Sequence, residues 1–126
     1  MPSQQNRYFI VTASYAKSRV DECGVLYADP WTPETFYADN DDVIWVLGQR
    51  EIGVGETGFE HYQFVFSTKK KITMKKAKSY FPVYLSPHIE PTKSAAAEEY
   101  VRKEETRVPG TEFELGVNLY EFIAHR

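Results

Sequence analysis

Cysteine is almost missing from this sequence. Cys23 stands alone among 126 residues, which excludes an internal disulfide framework and a cysteine-built zinc site. The simplest setting for such a chain is reducing and intracellular. Also missing is any apolar run near the ~20 residues that a membrane-spanning helix requires. The opening MPSQQNRYFI lacks the basic-then-apolar layout of a secretory signal. No G-x-x-x-x-G-K followed by Ser or Thr occurs, so the phosphate-loop mode of holding a nucleoside triphosphate is excluded. Acid is absent from residues 67–80, where six lysines stand: Lys69, Lys70, Lys71, Lys75, Lys76 and Lys78. The net charge is −3, so the remainder is strongly acidic, with clusters at 39–42 and 98–105. The sum does not announce a nucleic-acid binder. The distribution leaves room for a phosphate-holding patch, or equally for a solvated helix face.

A hydrophobic content of 42% over 126 residues fits one domain, 1–126, with a real core. Residues 1–6 are expected to be disordered. RYFIVTAS (7–14) has apolar residues on both faces until Thr12 and reads as a central strand. Residues 15–42, with Pro30, Pro33 and the turn-like ADNDD, predict loops around short elements. Trp31 and Phe36 there read as a packing cluster, since base-stacking aromatics usually stand exposed beside cations. VIWVLGQRE (43–51) is a second strand, which the Gly-rich 52–60 turns back into EHYQFVF (60–66). KITMKKAKSYF (71–81) predicts a helix capped by Thr73, with Met74, Ala77, Tyr80 and Phe81 as its apolar stripe and Pro82 as its stop. A short strand at 88–92 follows. The pattern then predicts a helix over 95–105 with Ser94 as N-cap, an edge strand at 111–115 and a closing amphipathic helix over 117–126. This order predicts an α+β domain with helices carried on one antiparallel sheet.

Two stretches carry chemistry. Along EHYQFVF, His61 and Gln63 project from the same strand face, offering an imidazole nitrogen and an amide oxygen. Antiparallel return of the chain brings Glu51 near His61 across the ladder, with Glu56 and Glu60 as alternative acids. A mixed N/O set with a neutral amide and open positions suits Mg²⁺ or Mn²⁺ better than a closed zinc site. In AAAEEYVRKEE (95–105), Tyr100 and Lys103 share one helical face. A phenol is a nucleophile, and a lysine beside it can stabilise phenolate or phosphate charge or move a proton.

His-x-Gln on a strand, followed by Tyr-x-x-Lys on a helix, resembles the endonuclease domain of the replication initiators of circular single-stranded DNA viruses, such as circoviruses and geminiviruses. These belong to the HUH superfamily. RYFIVTAS looks like the family's first motif, EHYQFVF like its second and EEYVRKEET like its third with one tyrosine. Gln63 stands where plasmid-type initiators and relaxases generally carry a second histidine, which favours the viral class. The resemblance implies a central five-stranded antiparallel sheet, related to that of RNA-recognition domains, with flanking helices. It also implies His61, Gln63 and an acid, Glu51, as metal ligands, and Tyr100 with Lys103 as catalytic pair. Arg7, Thr12, Lys69, Lys70, Lys71, Lys75 and His88 are the expected DNA contacts, with His88 structural or DNA-contacting rather than a ligand.

The activity so implied is nicking of a single-stranded stem-loop origin in the host nucleus. It leaves a 5′-phosphotyrosine and a free 3′-hydroxyl for rolling-circle synthesis, and it can rejoin ends. Family members usually add a helicase domain and can self-associate at full length; the resemblance implies that this chain is the isolated endonuclease part, the favoured reading, or that it never had that partner. Two other classes compete. One is a non-catalytic nucleic-acid module whose sheet aromatics Tyr62, Phe64 and Phe66 stack bases. The other is a structural or adaptor protein, which needs no divalent cation.

Overall fold

The computed structural model describes residues 4–21, 23–28, 30–53, 59–92 and 94–118. Its strands are β1 (Gln5–Ser14), β2 (Val43–Ile52), β3 (Glu60–Thr73), β4 (His88–Pro91) and β5 (Phe113–Gly116). They form one antiparallel sheet in the order β4-β1-β3-β2-β5. The helices are α1 (Tyr15–Arg19), α2 (Pro33–Asp39), α3 (Met74–Ser79) and α4 (Ser94–Val101). The fold is therefore α+β with five strands, as the pattern predicted. Among the described residues no helix is long and apolar enough to cross a membrane.

Local chemistry sets most boundaries. Ser14 ends β1 and caps α1, its hydroxyl accepting from the Lys17 amide. Thr32 caps α2 ahead of Pro33, a proline at the first helical position where its missing N–H costs nothing. Thr73 caps α3 by accepting from the Lys76 amide, as expected. Helix α3 nevertheless begins only at Met74, because β3 runs on through Lys69–Lys71 and pairs Ile72 with Asn6. Those three lysines lie on a strand rather than on a helix face. Gln5 and Asn6, expected to be disordered, belong to the same pairing. Helix α4 starts at Ser94 itself and stops at Val101, short of the predicted 105. The closing helix expected over 117–126 falls almost wholly outside the described residues.

The sheet's two faces differ sharply. Phe9, Val11 and Ala13 of β1, Val46 of β2 and Tyr62, Phe64 and Phe66 of β3 belong to one core, closed by Trp31, Phe36, Ala77, Phe81 and Leu85. Trp31 and Phe36 are the packing cluster that was expected, with Phe36 stacked on Phe81 at 4.7 Å between centroids. Gly48 faces Phe64 in register, and a Cβ there would collide with Phe64 and the Gln63 carbonyl. Glycine therefore lets β2 lie close against the aromatic strand. On the other face Trp45, Leu47 and Val65 pack under Ala97 and Val101 of α4, flanked by Tyr8 and Ile10. This second cluster is smaller, and polar residues take over at its margin.

Candidate active site

The site grows out of strand register. On the α4 face, Ser14, His61 and Glu51 form one cross-strand row, and Thr12, Gln63 and Gln49 form the next. His88 extends the second row through its pairing with Thr12. His61 and Gln63 therefore share a face, and Glu51 stands directly opposite His61. Glu60 projects from the other face and pairs with Arg50 at 2.7 Å, while Glu56 lies outside the described residues.

Glu51 is 1% exposed, so its carboxylate must be satisfied from within the protein. Its Oε2 accepts from Gln49 Nε2 at 2.8 Å. Its Oε1 lies 3.4 Å from His61 Nε2 and 3.6 Å from Lys103 Nζ. Gln63 is also buried. Its Nε2 donates to the Val11 carbonyl at 3.0 Å, and its Oε1 accepts from the Thr12 hydroxyl at 3.1 Å. These two bonds fix which end of the amide is the donor end. The Gln63 oxygen keeps a second lone pair for a cation or a water.

The donors fit a hard divalent ion. Adjacent ligands of an octahedral ion at about 2.1 Å stand roughly 3 Å apart, close to the 3.4 Å between His61 Nε2 and Glu51 Oε1. Among the described residues no three His, Cys, Asp or Glu side chains converge. Of the three expected ligands, His61 and Glu51 stand in contact, while Gln63, one cross-strand row away on the same face, is bonded to Thr12 and to the Val11 carbonyl.

Tyr100 lies on the last turn of α4 and is 48% exposed. It lines an open pocket of about 530 Å³ together with Thr12, Gln63, His88, Ala96 and Ala97. The small Ala96 and Ala97 leave space for a bulky ligand beside the phenol. Lys103 sits just past the end of α4, not on it, yet its Nζ stands 4.0 Å from the Tyr100 ring centroid. The expected pairing of Tyr100 with Lys103 is present, although a turn rather than a helix delivers it. Burial pushes the phenols of Tyr62 and Tyr80 above their ordinary ionisation range, which makes them poorer nucleophiles.

Gln49 and Arg107, which the sequence reading did not single out, hold this turn. Gln49 is fully buried and donates to both Glu51 and the Lys103 carbonyl, the latter at 2.8 Å. Its Oε1 accepts from Arg107 Nε at 2.9 Å. Backbone bonds from Ile52 to Thr106 and from Val108 to Arg50 strap the segment along β2. These contacts explain why α4 ends early: bonds to β2 replace the helical bonds that residues 102–105 favour by propensity. A signal for Gln49 was present, because it shares the apolar stripe of Trp45 and Leu47 with Glu51.

The expected DNA contacts divide into two places. Thr12 and His88 line the Tyr100 pocket, with His88 exposed and 3.1 Å from Glu90. Arg7 lies at the β1 irregularity between Asn6 and Tyr8, close in register to the far end of β3. Lys69, Lys70 and Lys71 are exposed at that far end, and Lys75 follows on α3. At about 3.3 Å per residue, His61 and Lys69 stand ~26 Å apart along the strand. The acidic 39–42 loop touches this end, with the Lys69 amide bonded to the Asp42 carbonyl. Tyr62, Phe64 and Phe66 are buried in the aromatic core, so they cannot stack bases. The platform required by the non-catalytic module is therefore not on the surface.

No model of a known protein family and no curated protein sequence matches the chain. The resemblance thus rests on the three sequence motifs.

Proposed function

We propose that this chain is a divalent-cation-dependent endonuclease of single-stranded DNA, of the kind found in the viral replication initiators it resembles, with Tyr100 as nucleophile. The observation that carries the reading is a continuous chain of contacts. The exposed Tyr100 meets Lys103 at 4.0 Å, Lys103 meets Glu51 at 3.6 Å, and Glu51 meets His61 at 3.4 Å. Residues of the second and third motifs, far apart in sequence, thus face one another across α4 and the sheet.

In this reading the DNA strand enters the pocket between α4 and β1, with Thr12 and His88 at its edge. Tyr100 Oη attacks the scissile phosphorus. The new bond joins phosphorus to the tyrosine, the bond to the 3′ oxygen breaks, and that oxygen leaves as a hydroxyl after taking a proton. Lys103 offsets negative charge on the phenolic oxygen as its proton departs, a step that water alone supports only near pH 10. A cation held by His61, Glu51 and Gln63 would polarise the phosphate oxygens. Gln63, its amide held by Thr12 and the Val11 carbonyl, would offer its oxygen with little reorganisation. Attack of a 3′-hydroxyl on the phosphotyrosine reverses the step and joins ends. A stem-loop origin as substrate, Mg²⁺ or Mn²⁺ as the ion and action in a host nucleus belong to the same reading.

The test uses a pool of labelled DNA hairpins with randomised single-stranded loops, incubated with protein and Mn²⁺. Cleavage is expected with Mn²⁺ and not with a chelator. His61→Ala should lower it by about a hundredfold or more, because a ligand of the ion is lost, while the melting temperature stays near that of the wild type. Cleavage that persists in chelator or in His61→Ala would remove the cation site from the mechanism.

A further inference from the structure

Lys103 touches two groups that the proposed reaction uses separately. A carboxylate as buried as Glu51 needs positive charge nearby. Without a metal ion, Lys103 supplies it, its Nζ lying 3.6 Å from Oε1. That oxygen is also the one facing His61, so it is where a divalent ion bound to both residues would sit. Two cations cannot crowd one carboxylate oxygen without strong repulsion. The lysine has somewhere else to go: its side chain is 28% exposed, and its Nζ already lies 4.0 Å from the Tyr100 ring. The backbone is not free to follow, because the Lys103 carbonyl is held by Gln49. Only the flexible four-carbon stem moves.

We infer that Lys103 and the divalent cation compete for Glu51 Oε1, so that arrival of the ion turns the lysine from the carboxylate toward the Tyr100 phenol. Ion binding and placement of charge beside the nucleophile become one event. Before the ion arrives, Lys103 neutralises the buried carboxylate and keeps the fold intact. Afterwards its charge serves the pocket. The inference rests on the endonuclease reading for the purpose of the ion, but the competition is a property of Glu51 and Lys103 alone. It therefore has a consequence that needs neither DNA nor turnover.

The measurement is a Mn²⁺ titration of the DNA-free protein, with free Mn²⁺ read by electron paramagnetic resonance. Lys103→Met should bind Mn²⁺ about fivefold more tightly than the wild type, the size expected for removing a part-exposed ion pair. Its melting temperature should also rise more on adding Mn²⁺. Lys103→Gln, which keeps a donor but no charge, should show the same tightening and covers the case in which the methionine variant folds poorly. Lys103→Arg, which keeps the charge, should stay near wild type. Equal or weaker affinity in both uncharged variants, with binding abolished by Glu51→Gln, would overturn the competition and leave the cation site standing. Binding that Glu51→Gln does not affect, or none in any form, would overturn both.

Discussion

The two faces of this sheet are built from the same strands and teach opposite lessons. Under α1, α2 and α3 the strands present rings: Phe9, Phe64 and Phe66 against Trp31, Phe36 and Phe81. Under α4 they present a small apolar patch and then two polar rows, from Ser14, His61 and Glu51 to Thr12, Gln63 and Gln49. The first face buries nonpolar area and holds the molecule together. The second spends burial on a carboxylate and two amides, groups that cost stability unless each is matched. Each is matched here, through Lys103, Arg107, Thr12 and backbone carbonyls.

The contrast can be broken from either side. On the aromatic face, Phe64→Ala removes a ring within 6.4 Å, centroid to centroid, of Trp31, Phe36 and Phe81. It should cost about 3–5 kcal/mol in denaturant unfolding, with activity lost only through unfolding. On the polar face, Gln49→Leu is nearly isosteric but leaves Glu51 Oε2 and Arg107 Nε without the partner that Gln49 provides. We expect about 2 kcal/mol of destabilisation. Cleavage measured on the folded fraction should fall as well, because the turn carrying Lys103 loses its anchor. A Gln49→Leu protein as stable and active as wild type would mean that the Gln49 bonds support neither the fold nor the cleavage.

The division was only partly legible in the sequence. Alternation in EHYQFVF placed His61 and Gln63 on one face, and hairpin return placed Glu51 opposite, because side-chain period and antiparallel register are local rules. Caps at Thr73 and the Pro82 stop were equally local. What escaped depended on tertiary contacts. Residues 102–105 favour helix by composition, yet hydrogen bonds to β2 pull them into a turn. Lys71–Thr73 look like the lead-in to a helix, yet pairing of Ile72 and Thr73 with β1 keeps them in β3. Gln49 looked like one polar residue near a strand end; its three hydrogen bonds, to Glu51, the Lys103 carbonyl and Arg107, need partners that only the fold brings near.

Smaller in effect, and sharper for the ends of the sheet than for its faces, is the lysine cluster. If single-stranded DNA reaches from the Tyr100 pocket to Lys69–Lys71, replacing those three with Gln should lower the log–log salt slope of binding by roughly 0.7 per lost contact. Cleavage of a short hairpin should be unchanged, since the cluster lies ~26 Å from His61 along β3. An unchanged slope would assign the lysines to solvation.

The central claim, that the polar face is a nuclease centre with Tyr100 as nucleophile, is tested most directly by mapping the covalent product. Wild-type protein is incubated with the hairpin pool and Mn²⁺, denatured and digested, and the nucleotide-bearing peptide is sequenced by mass spectrometry. The adduct should fall on Tyr100. It should vanish in Tyr100→Phe, which removes one oxygen from a half-exposed ring and leaves melting temperature and Mn²⁺ affinity essentially unchanged. An adduct on another tyrosine, or one that survives in Tyr100→Phe, would contradict the assignment.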